Sequence, residues 1–538
     1  MTRRASLRRG ARPSRSRPLL AAIAIAGCAR VAASASQGDA GAGSVSPASA
    51  SPEAGAVAKS ALVEAGARAA ADEVAPQIDP DGNDDDEDPG SGVVPARARW
   101  ERVGAPPLAL TRICDLTPLN GSLYMAHAHQ PLGTDGATIT RYTPPDDAPS
   151  DPAAADGARG DRPKAAAKRP FRVAFDWNRP GEPAKGGGAG QGFVRVRAID
   201  GRLFVPDADP PYGGLGVVDW GTEGYVFVSD HEGAFAPPRA PHFKPPAFPE
   251  LRADAGARAG AGVLPRAYHV LDVIRFRGVL YASTGSVPPK ERAWNGPSPG
   301  ALHRASEDGA RWTYEVDYPY PWQNGVWRLT YLVRFKDRLY AGIQDYDGRD
   351  PHDFVVFEPD ASAADAGAPT VLRREDAHPT RVTRAGASGT LRWWADTRAR
   401  PPRLYWLAWT RDGIALRVTI DGDRWAAIAL PADAGAPTDV TRFRDAVVVL
   451  TTAGLYRLDG AAIDGAADIA AMDGVADAIA TPIAPVDEAA GDAGARAKKK
   501  PKSPFEVTDF FCTAPLAVMN GVLYAGGQRG GALYRLVE

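Results

Sequence analysis

One short unit recurs seven times between about residue 97 and residue 538, and this repetition constrains the fold more than any other feature of the chain. Each copy has an apolar strand, a turn and a second strand that begins with Leu-Tyr or a similar apolar pair. These pairs lie in the segments 121–124, 201–204, 278–281, 337–340, 402–405, 445–448 and 521–524. A unit of this size cannot bury its own apolar face, so neighbouring copies have to pack against one another.

The third copy shows the complete pattern, with four short strands predicted over residues 268–276, 279–283, 301–305 and 312–316. Four antiparallel strands per repeat are the pattern of a β-propeller blade. The last copy ends after its third strand, and residues 98–103 can supply the fourth. The sequence therefore predicts an all-β, seven-bladed β-propeller of four-stranded antiparallel blades, closed by the N-terminal strand in the last blade, with six or eight blades left open.

Two copies end in a hairpin of similar sequence, at residues 306–312 and 419–425, with Asp-Gly at the turn and a Trp shortly after it. This hairpin resembles a shortened Asp-box of sialidase-type propellers, although it lacks one residue between Asp and Gly. The pattern over residues 97–538 is also similar to kelch-like propellers. Both resemblances imply a fold and leave the ligand open.

The N-terminus has the pattern of an export signal. Seven arginines and no acid precede a short apolar run that ends at Gly27-Cys28. Ile25-Ala26-Gly27-Cys28 resembles the lipobox of bacterial lipoproteins, which implies cleavage before Cys28 and lipidation of its thiol. We therefore expect a signal peptide over 1–27, a disordered acidic tether rich in Ala, Ser, Gly and Asp over 28–95, and the propeller with its low-complexity loop insertions over 96–538. We also expect anchoring in the bacterial envelope, at the outer membrane.

The charge distribution argues against nucleic acid as a partner. The chain has a formal charge of −2, with 63 basic and 65 acidic residues. Residues 28–95 hold twelve acids against three basic residues, so the charge of residues 96–538 is close to zero. Binding to a phosphate backbone needs a basic face, which this balance does not predict.

Two cysteines remain once Cys28 is lipidated. Cys114 and Cys512 lie in the predicted first strands of the first and last blades, which are neighbours in a closed ring. An exported protein permits a disulfide between them. Two buried free thiols are the equal alternative.

The long loops after the second strands of the first four blades hold most of the polar side chains that suit a ligand. The candidates on this face are His127, His129, Asp207, Asp209, Trp294, Tyr320, Trp322, Asp345, Asp347 and Asp350. Alternation along a strand places His127 and His129 on one side, as two metal ligands need, but no third ligand follows at fixed spacing. The acidic loop 345–350 resembles a Ca²⁺ loop without the length of an EF-hand. No cofactor is predicted, and a metal stays a weak hypothesis.

No sequence motif assigns catalysis. The chain lacks a Gly-x-Ser-x-Gly elbow and a His-Glu-x-x-His helix, and no catalytic residue is predicted. Aromatic side chains next to amides, as at 318–327, would suit a sugar ring or an extended peptide if exposed, and the alternative is that they pack between adjacent blades. We therefore expect a monomeric module that binds a protein or a glycan. The alternative is a carbohydrate-active hydrolase or lyase with its site at the channel mouth.

Overall fold

The computed structural model describes residues 88–108, 110–128, 137–145, 170–177, 192–208, 223–235, 261–265, 267–286, 300–306, 311–318, 326–345, 349–359, 371–383, 387–411, 413–458, 475–476, 480–485, 503–507 and 511–538. The predicted signal peptide and most of the predicted tether lie outside these residues. The described part is all-β, with one 3-10 turn at Arg374–Asp376. No helix in it is long and apolar enough to cross a membrane.

The strands form successive four-stranded antiparallel groups, which we number as sheets 1 to 7. Sheet 1 contains β2 (Arg112–Leu119), β3 (Ser122–Ala128), β4 (Thr138–Tyr142) and β5 (Phe171–Asp176). Sheet 2 contains β6 (Arg197–Ile199), β7 (Arg202–Pro206), β8 (Glu223–Val228) and β9 (Ala261–Pro265). Sheet 3 contains β10 (Ala267–Phe276), β11 (Val279–Ser286), β12 (Gly300–Ala305) and β13 (Trp312–Asp317). Sheet 3 confirms the four strands that the third repeat predicts.

Sheet 4 contains β14 (Val326–Phe335), β15 (Arg338–Asp345), β16 (Phe354–Phe357) and β17 (Ala377–Thr380). Sheet 5 contains β18 (Ala387–Asp396), β19 (Arg403–Thr410), β20 (Gly413–Thr419) and β21 (Ala426–Ile428), with β25 (Val475–Ala476) parallel to β21. Sheet 6 contains β22 (Pro437–Phe443), β23 (Ala446–Thr451), β24 (Gly454–Leu458) and β26 (Ala480–Pro485). Sheet 7 contains β27 (Leu516–Met519), β28 (Val522–Gly526), β29 (Leu533–Val537) and β1 (Arg99–Gly104). One backbone pair, Gln344 with Gly389, links sheets 4 and 5.

Sheet 7 joins the two ends of the described chain. Its strand order is β27, β28, β29 and β1, and β1 runs antiparallel to β29 from the pair Arg99–Val537 onward. A disulfide between Cys114, in β2, and Cys512, just before β27, also links sheets 1 and 7 across 398 residues. The strand pairing and the disulfide tie together residues that are far apart in sequence.

The first strand of each sheet contacts the first strand of the next sheet, from β2 through β6, β10, β14, β18 and β22 to β27, and β27 contacts β2. Seven apolar clusters fill the spaces between neighbouring sheets. The cluster between sheets 3 and 4, for example, contains Phe276, Leu332 and Phe357, each fully buried. Burying such side chains stabilises the fold by about 1.5–3 kcal/mol each.

Tight hairpins join the first and second strands of six sheets. In sheets 1, 2, 3, 4, 6 and 7 the connection has two residues, as in the pair Phe276–Val279, and its first residue has a positive φ. Asn120 and Asn520 suit this conformation and are each followed by glycine, the usual sequence of a type I′ turn. Sheet 5 has a longer connection, between Asp396 and Arg403. All seven connections follow the first strands, so we call them the inner hairpins.

Candidate functional site

One position relative to the inner hairpin recurs in every sheet, within the first strand in sheets 1, 3, 4, 5 and 6 and just before it in sheets 2 and 7. It lies four residues before the last residue of the strand. In sheets 1 to 7 this position holds Asp115, Arg195, Asp272, Tyr331, Arg392, Asp439 and Pro515. We call these seven side chains the ring residues. Acids and arginines alternate along most of the series.

A β-bulge precedes the ring residue in many of these strands. The register of the first and second strands shifts between Ile113 and Asp115, and again between Val270 and Asp272. Similar shifts occur at the ring positions of sheets 4, 5 and 6. A bulge bends its strand and turns the following side chain. The bulges therefore explain how charged residues in apolar strands point to a shared central space.

Ion pairs connect the ring residues of neighbouring sheets and, in one case, of two sheets that are not neighbours. Arg392 of sheet 5 reaches Asp115 of sheet 1 at 2.7 Å and lies 3.9 Å from Asp439 of sheet 6. Arg195 contacts Asp115 at 3.2 Å and Asp272 at 3.4 Å. Arg197, two residues farther along its strand, binds both oxygens of Asp272, at 2.7 and 2.9 Å. Three arginines and three aspartates thus balance in charge.

Each ring carboxylate also accepts a backbone N–H from the next sheet. Asp115 accepts from Val196 at 2.9 Å, and Asp272 accepts from Leu332 at 2.8 Å. Asp439 accepts from Leu516 at 2.7 Å. A buried backbone N–H without a hydrogen-bond partner destabilises the folded state. Each carboxylate therefore provides an acceptor for an N–H group that strand pairing does not satisfy.

The charges at the ring depend on one another. Burial alone would raise the pKa of Asp272, but Arg197 and Arg195 outweigh it and hold that pKa below its usual value. Burial would lower the pKa of Arg392, but the charges of Asp115 and Asp439 raise it. For Asp439 burial prevails, and its pKa is raised despite the nearby Arg392. The surroundings thus favour the charged form of Asp272 and disfavour that of Asp439.

An open cavity lies beside the ring. The residues that line it include four ring residues, Asp115, Arg195, Arg392 and Asp439, together with Thr117, Thr441, Arg334 and Trp394. Trp394 is partly exposed and stacks on Tyr405, with ring centroids 5.1 Å apart. Most of the wall comes from the later halves of the first strands, so the cavity lies toward the inner hairpins. The sequence placed the ligand face at the loops after the second strands instead.

His127 is fully buried, and both of its ring nitrogens have partners. Nδ1 lies 2.8 Å from the carbonyl oxygen of Arg112, and Nε2 lies 2.7 Å from Oγ1 of Thr140. Burial lowers the pKa of His127 to about 4, so the ring is neutral near pH 7. His129 lies outside the described residues. The described residues contain no group of three or more His, Cys, Asp or Glu arranged to hold a metal, and the two-histidine metal site stays a prediction.

Asp207, Asp345 and Asp350 are all buried at the ends of second strands or just after them. Asp207 accepts the backbone N–H of Tyr225 at 3.0 Å, and Asp345 accepts that of Asp350 at 2.8 Å. Asp350 is the centre of a small polar cluster that we describe below. The remaining predicted residues lie outside the described part of the chain: Cys28, Asp209, Trp294, Tyr320, Trp322 and Asp347.

The Asp350 cluster joins sheets 3, 4 and 5. One oxygen of Asp350 lies 2.8 Å from Nδ1 of His352, and the other accepts the hydroxyl proton of Tyr318 at 2.9 Å. Arg411 donates to the backbone oxygen of Asp350 at 3.3 Å and lies 3.9 Å from Asp345. The carboxylate orients the imidazole, an arrangement that assists proton transfer in many enzymes.

The ring residues were not predicted from the sequence, although a sequence pattern relates them. Asp272 and Asp439 stand at the same distance from a closing Phe-Arg pair, in Asp-Val-Ile-Arg-Phe-Arg and Asp-Val-Thr-Arg-Phe-Arg. Asp115 stands at the same distance from Leu119 and its turn. Aligning the seven first strands on their turns would have revealed the alternating charges.

No protein-family model matches the chain, and no curated protein is significantly similar to it in sequence. Among solved structures, a streptogramin B lyase is similar over 83% of this chain and 99% of its own, with 6% identity and a TM-score of 0.42. An inactive variant of virginiamycin B lyase from Staphylococcus aureus is similar over 82% of this chain and all of its own, with 7% identity and a TM-score of 0.41. BamB from Moraxella catarrhalis is similar over 82% of this chain and 98% of its own, with 12% identity and a TM-score of 0.31. These neighbours are β-propeller proteins, and the site has to be argued from this chain's own residues.

Proposed function

We propose that this protein is a lipid-anchored binding module of the bacterial envelope, built as a seven-bladed β-propeller that recognises a protein or a glycan. Three features support closure of the seven sheets into one ring. The first strands contact one another in chain order and β27 contacts β2. β1 completes the last sheet, and ring residues from distant sheets form ion pairs. A closed propeller leaves only short, protected strand edges.

The cavity beside the ring is the observation that carries the binding function. It is open to solvent, so the end of a chain-like ligand can reach its wall. Trp394 offers an indole fixed by Tyr405, and an aromatic surface of this kind suits a sugar ring. Thr441 and Arg334, which can form hydrogen bonds, also line the cavity.

The ring carboxylates favour binding over hydrolysis. A glycosidase needs one carboxyl group to donate a proton and another to act as base or nucleophile. Each of Asp115, Asp272 and Asp439 already accepts a backbone N–H and faces an arginine. Carboxylates held in this way stabilise the first strands around the cavity and are not available as the acid or base of a glycosidase.

The alternative is a carbohydrate-active hydrolase or lyase, and one observation favours it. Asp350, fully buried, holds the imidazole of His352 at 2.8 Å, and the side chain of His352 is partly exposed. This pair has the geometry of a general base oriented by an acid. A carbohydrate activity that disappears in His352→Ala, while glycan binding at the cavity persists, would support this alternative.

Anchoring rests on the N-terminal sequence. Lipidation of Cys28 would hold the propeller at the envelope, most simply at the outer membrane, by a tether over residues 28–95. The oxidising envelope suits the disulfide between Cys114 and Cys512. Mass spectrometry of the membrane-extracted protein tests both proposals, through the acylated N-terminal peptide and the disulfide-linked peptides.

A glycan array with the intact purified protein tests the binding function. We expect binding to a defined set of glycans, reduced about tenfold or more in Trp394→Ala, because stacking on an indole contributes about 1–2 kcal/mol. Trp409→Ala is the matched control, since Trp409 is also partly exposed and packs on the same apolar cluster without lining the cavity. Equal loss in both variants would contradict a ligand site at Trp394. If no glycan binds, a protein ligand is left as the partner.

A further inference from the structure

The inner hairpins differ sharply in charge around the ring. We compare the segments that run from the next-to-last residue of each first strand to the first residue of the second strand. In sheets 3 to 6 these segments are 275–279, 334–338, 395–403 and 442–446, and they hold ten Arg or Lys against three Asp. In sheets 7, 1 and 2 they are 518–522, 118–122 and 198–202, with one Arg and one Asp. Four consecutive hairpins therefore form a basic arc beside three that carry no net charge.

Three hairpins of the arc share a motif that fixes a cation in place. Arg277 lies over the ring of Phe276 at 5.6 Å, and Arg444 lies over Phe443 at 5.0 Å. Lys336 lies over Phe335 at 5.7 Å. The phenylalanines are buried, so each aromatic ring is a rigid support for the cation above it. A positioned cation loses less conformational entropy when it meets an anion than a freely rotating one does.

Some charges of the arc are neutralised and others are not. Arg442 pairs with Asp396 at 2.5 Å, and Arg444 pairs with Glu538 at 2.8 Å. Lys336 and Arg398 are exposed, and neither forms an ion pair within the described part of the chain. The arc thus keeps positive charge at its solvent side, although the domain as a whole is neutral.

The arc is continuous with the cavity. Arg334 and Thr397 belong to hairpin segments of the arc and also line the cavity, next to Trp394. A bound chain can therefore place negative groups on the arc and one ring on the indole at the same time. A flat bilayer cannot enter a cavity of this kind, so the shape favours a flexible or linear anion over a membrane surface.

We propose that the basic arc and the adjoining cavity bind an acidic glycan, one whose sugars carry carboxylate groups. This inference rests on the proposed binding function and narrows its ligand class. The carboxylates meet Lys336, Arg398 and Arg334, and one sugar ring stacks on Trp394. Arginine forks bind carboxylates with two parallel hydrogen bonds, which adds geometric selectivity to the charge attraction.

Calorimetric titration of the intact protein with a galacturonate tetrasaccharide tests this, with a neutral glucose tetrasaccharide as the matched ligand. The test variant is Arg334→Gln/Lys336→Asn/Arg398→Gln, in which Asn tolerates the positive φ at position 336. The control is Arg97→Gln/Arg99→Gln/Arg172→Gln, which removes three exposed arginines on or near the outermost strands of sheets 7 and 1. We expect Kd to rise about tenfold or more in the test variant and less than twofold in the control.

The remaining outcomes separate this inference from the proposed function. A steep fall in affinity between low salt and about 0.15 M salt, reduced in the test variant, supports charge recognition at the arc. Equal binding of the neutral tetrasaccharide overturns the inference and keeps the binding function. Binding to phosphatidylglycerol vesicles without binding to either sugar overturns it in favour of a membrane surface. If the triple variant unfolds, Lys336→Asn/Arg398→Gln, which changes only exposed side chains, replaces it and should still weaken binding severalfold.

Discussion

The ring residues and the apolar clusters between the sheets hold the same seven sheets together by different means. Between sheets 5 and 6, side chains such as Leu407 and Val449 are fully buried in an apolar cluster. At the ring, Arg392 is equally buried but is held by Asp115 and Asp439. Apolar contacts are non-directional, whereas a buried ion pair is stable only with its partners in place. The apolar clusters therefore stabilise the fold, whereas the ion pairs of the ring residues fix the positions of the first strands around the cavity.

The largest effect should come from breaking the ring at its most connected residue. Arg392→Ala leaves Asp115 and Asp439 buried without their shared partner, which costs about 3–5 kcal/mol of unfolding free energy. Urea denaturation followed by circular dichroism measures this. A loss below about 1 kcal/mol would mean that the ring charges are solvated and that the ion pairs contribute little.

Lowering the pH should destabilise the folded protein through His127, which is buried in its neutral form. Its pKa is about 4 in the folded protein against about 6.5 in an unfolded chain, so the unfolded state binds the proton first as the pH falls. Unfolding free energy should therefore decrease from pH 6.5 to pH 4, by up to about 3 kcal/mol. Denaturant titrations at several pH values measure the slope.

His127→Gln is the control for that slope. Glutamine retains a donor for the carbonyl of Arg112 and an acceptor for the hydroxyl of Thr140, and it does not titrate. The part of the slope that belongs to His127 should disappear in this variant. An unchanged slope would show that other groups cause the loss of stability.

Two carboxylates of the ring should respond differently to neutralisation. The pKa of Asp272 is lowered by Arg197 and Arg195, whereas burial raises that of Asp439. Asp272→Asn should therefore lower the free energy of unfolding more than Asp439→Asn does, measured by denaturation at pH 7. Equal costs would contradict the unequal charge environment.

The smallest effect should come from trimming an apolar cluster. Ile343→Val removes one buried methylene between sheets 3 and 4 and should cost about 1 kcal/mol. Glycan affinity should stay within twofold of the wild type, because Ile343 lies outside the cavity wall. A large loss of affinity would show that ligand binding at the cavity depends on packing in the apolar clusters.

The sequence predicted the strands that form the apolar clusters better than it predicted the charged ring residues. The repeat located all four strands of sheet 3, and the structure extends the second of them only to Ser286. Apolar alternation is a local signal, so it survives in a single sequence. The ring depends on contacts such as that of Arg392 with Asp115, whose positions differ by 277 residues. A charged residue in a short strand is usually exposed to solvent. That the ring residues are buried is indicated only by the bulges and by their equal distance from the end of the first strand.

The candidate site shows the same contrast. The long loops after the second strands drew attention to His127 and Asp207, and the structure holds both in buried hydrogen bonds. The cavity lies toward the inner hairpins, where the sequence predicted no site residue. A tight turn carries little sequence of its own, so its part in forming a cavity wall becomes visible only when neighbouring sheets are placed together.

A double-mutant cycle between Asp115 and Arg392 tests most directly whether the ring acts as one unit. Unfolding free energies are measured for the wild type, Asp115→Asn, Arg392→Ala and the double variant, all by urea denaturation at pH 7. The two residues lie 2.7 Å apart in sheets 1 and 5, so the double variant should be about 2 kcal/mol less destabilised than the sum of the single variants. Additive losses, within about 0.5 kcal/mol, would contradict a coupled ring.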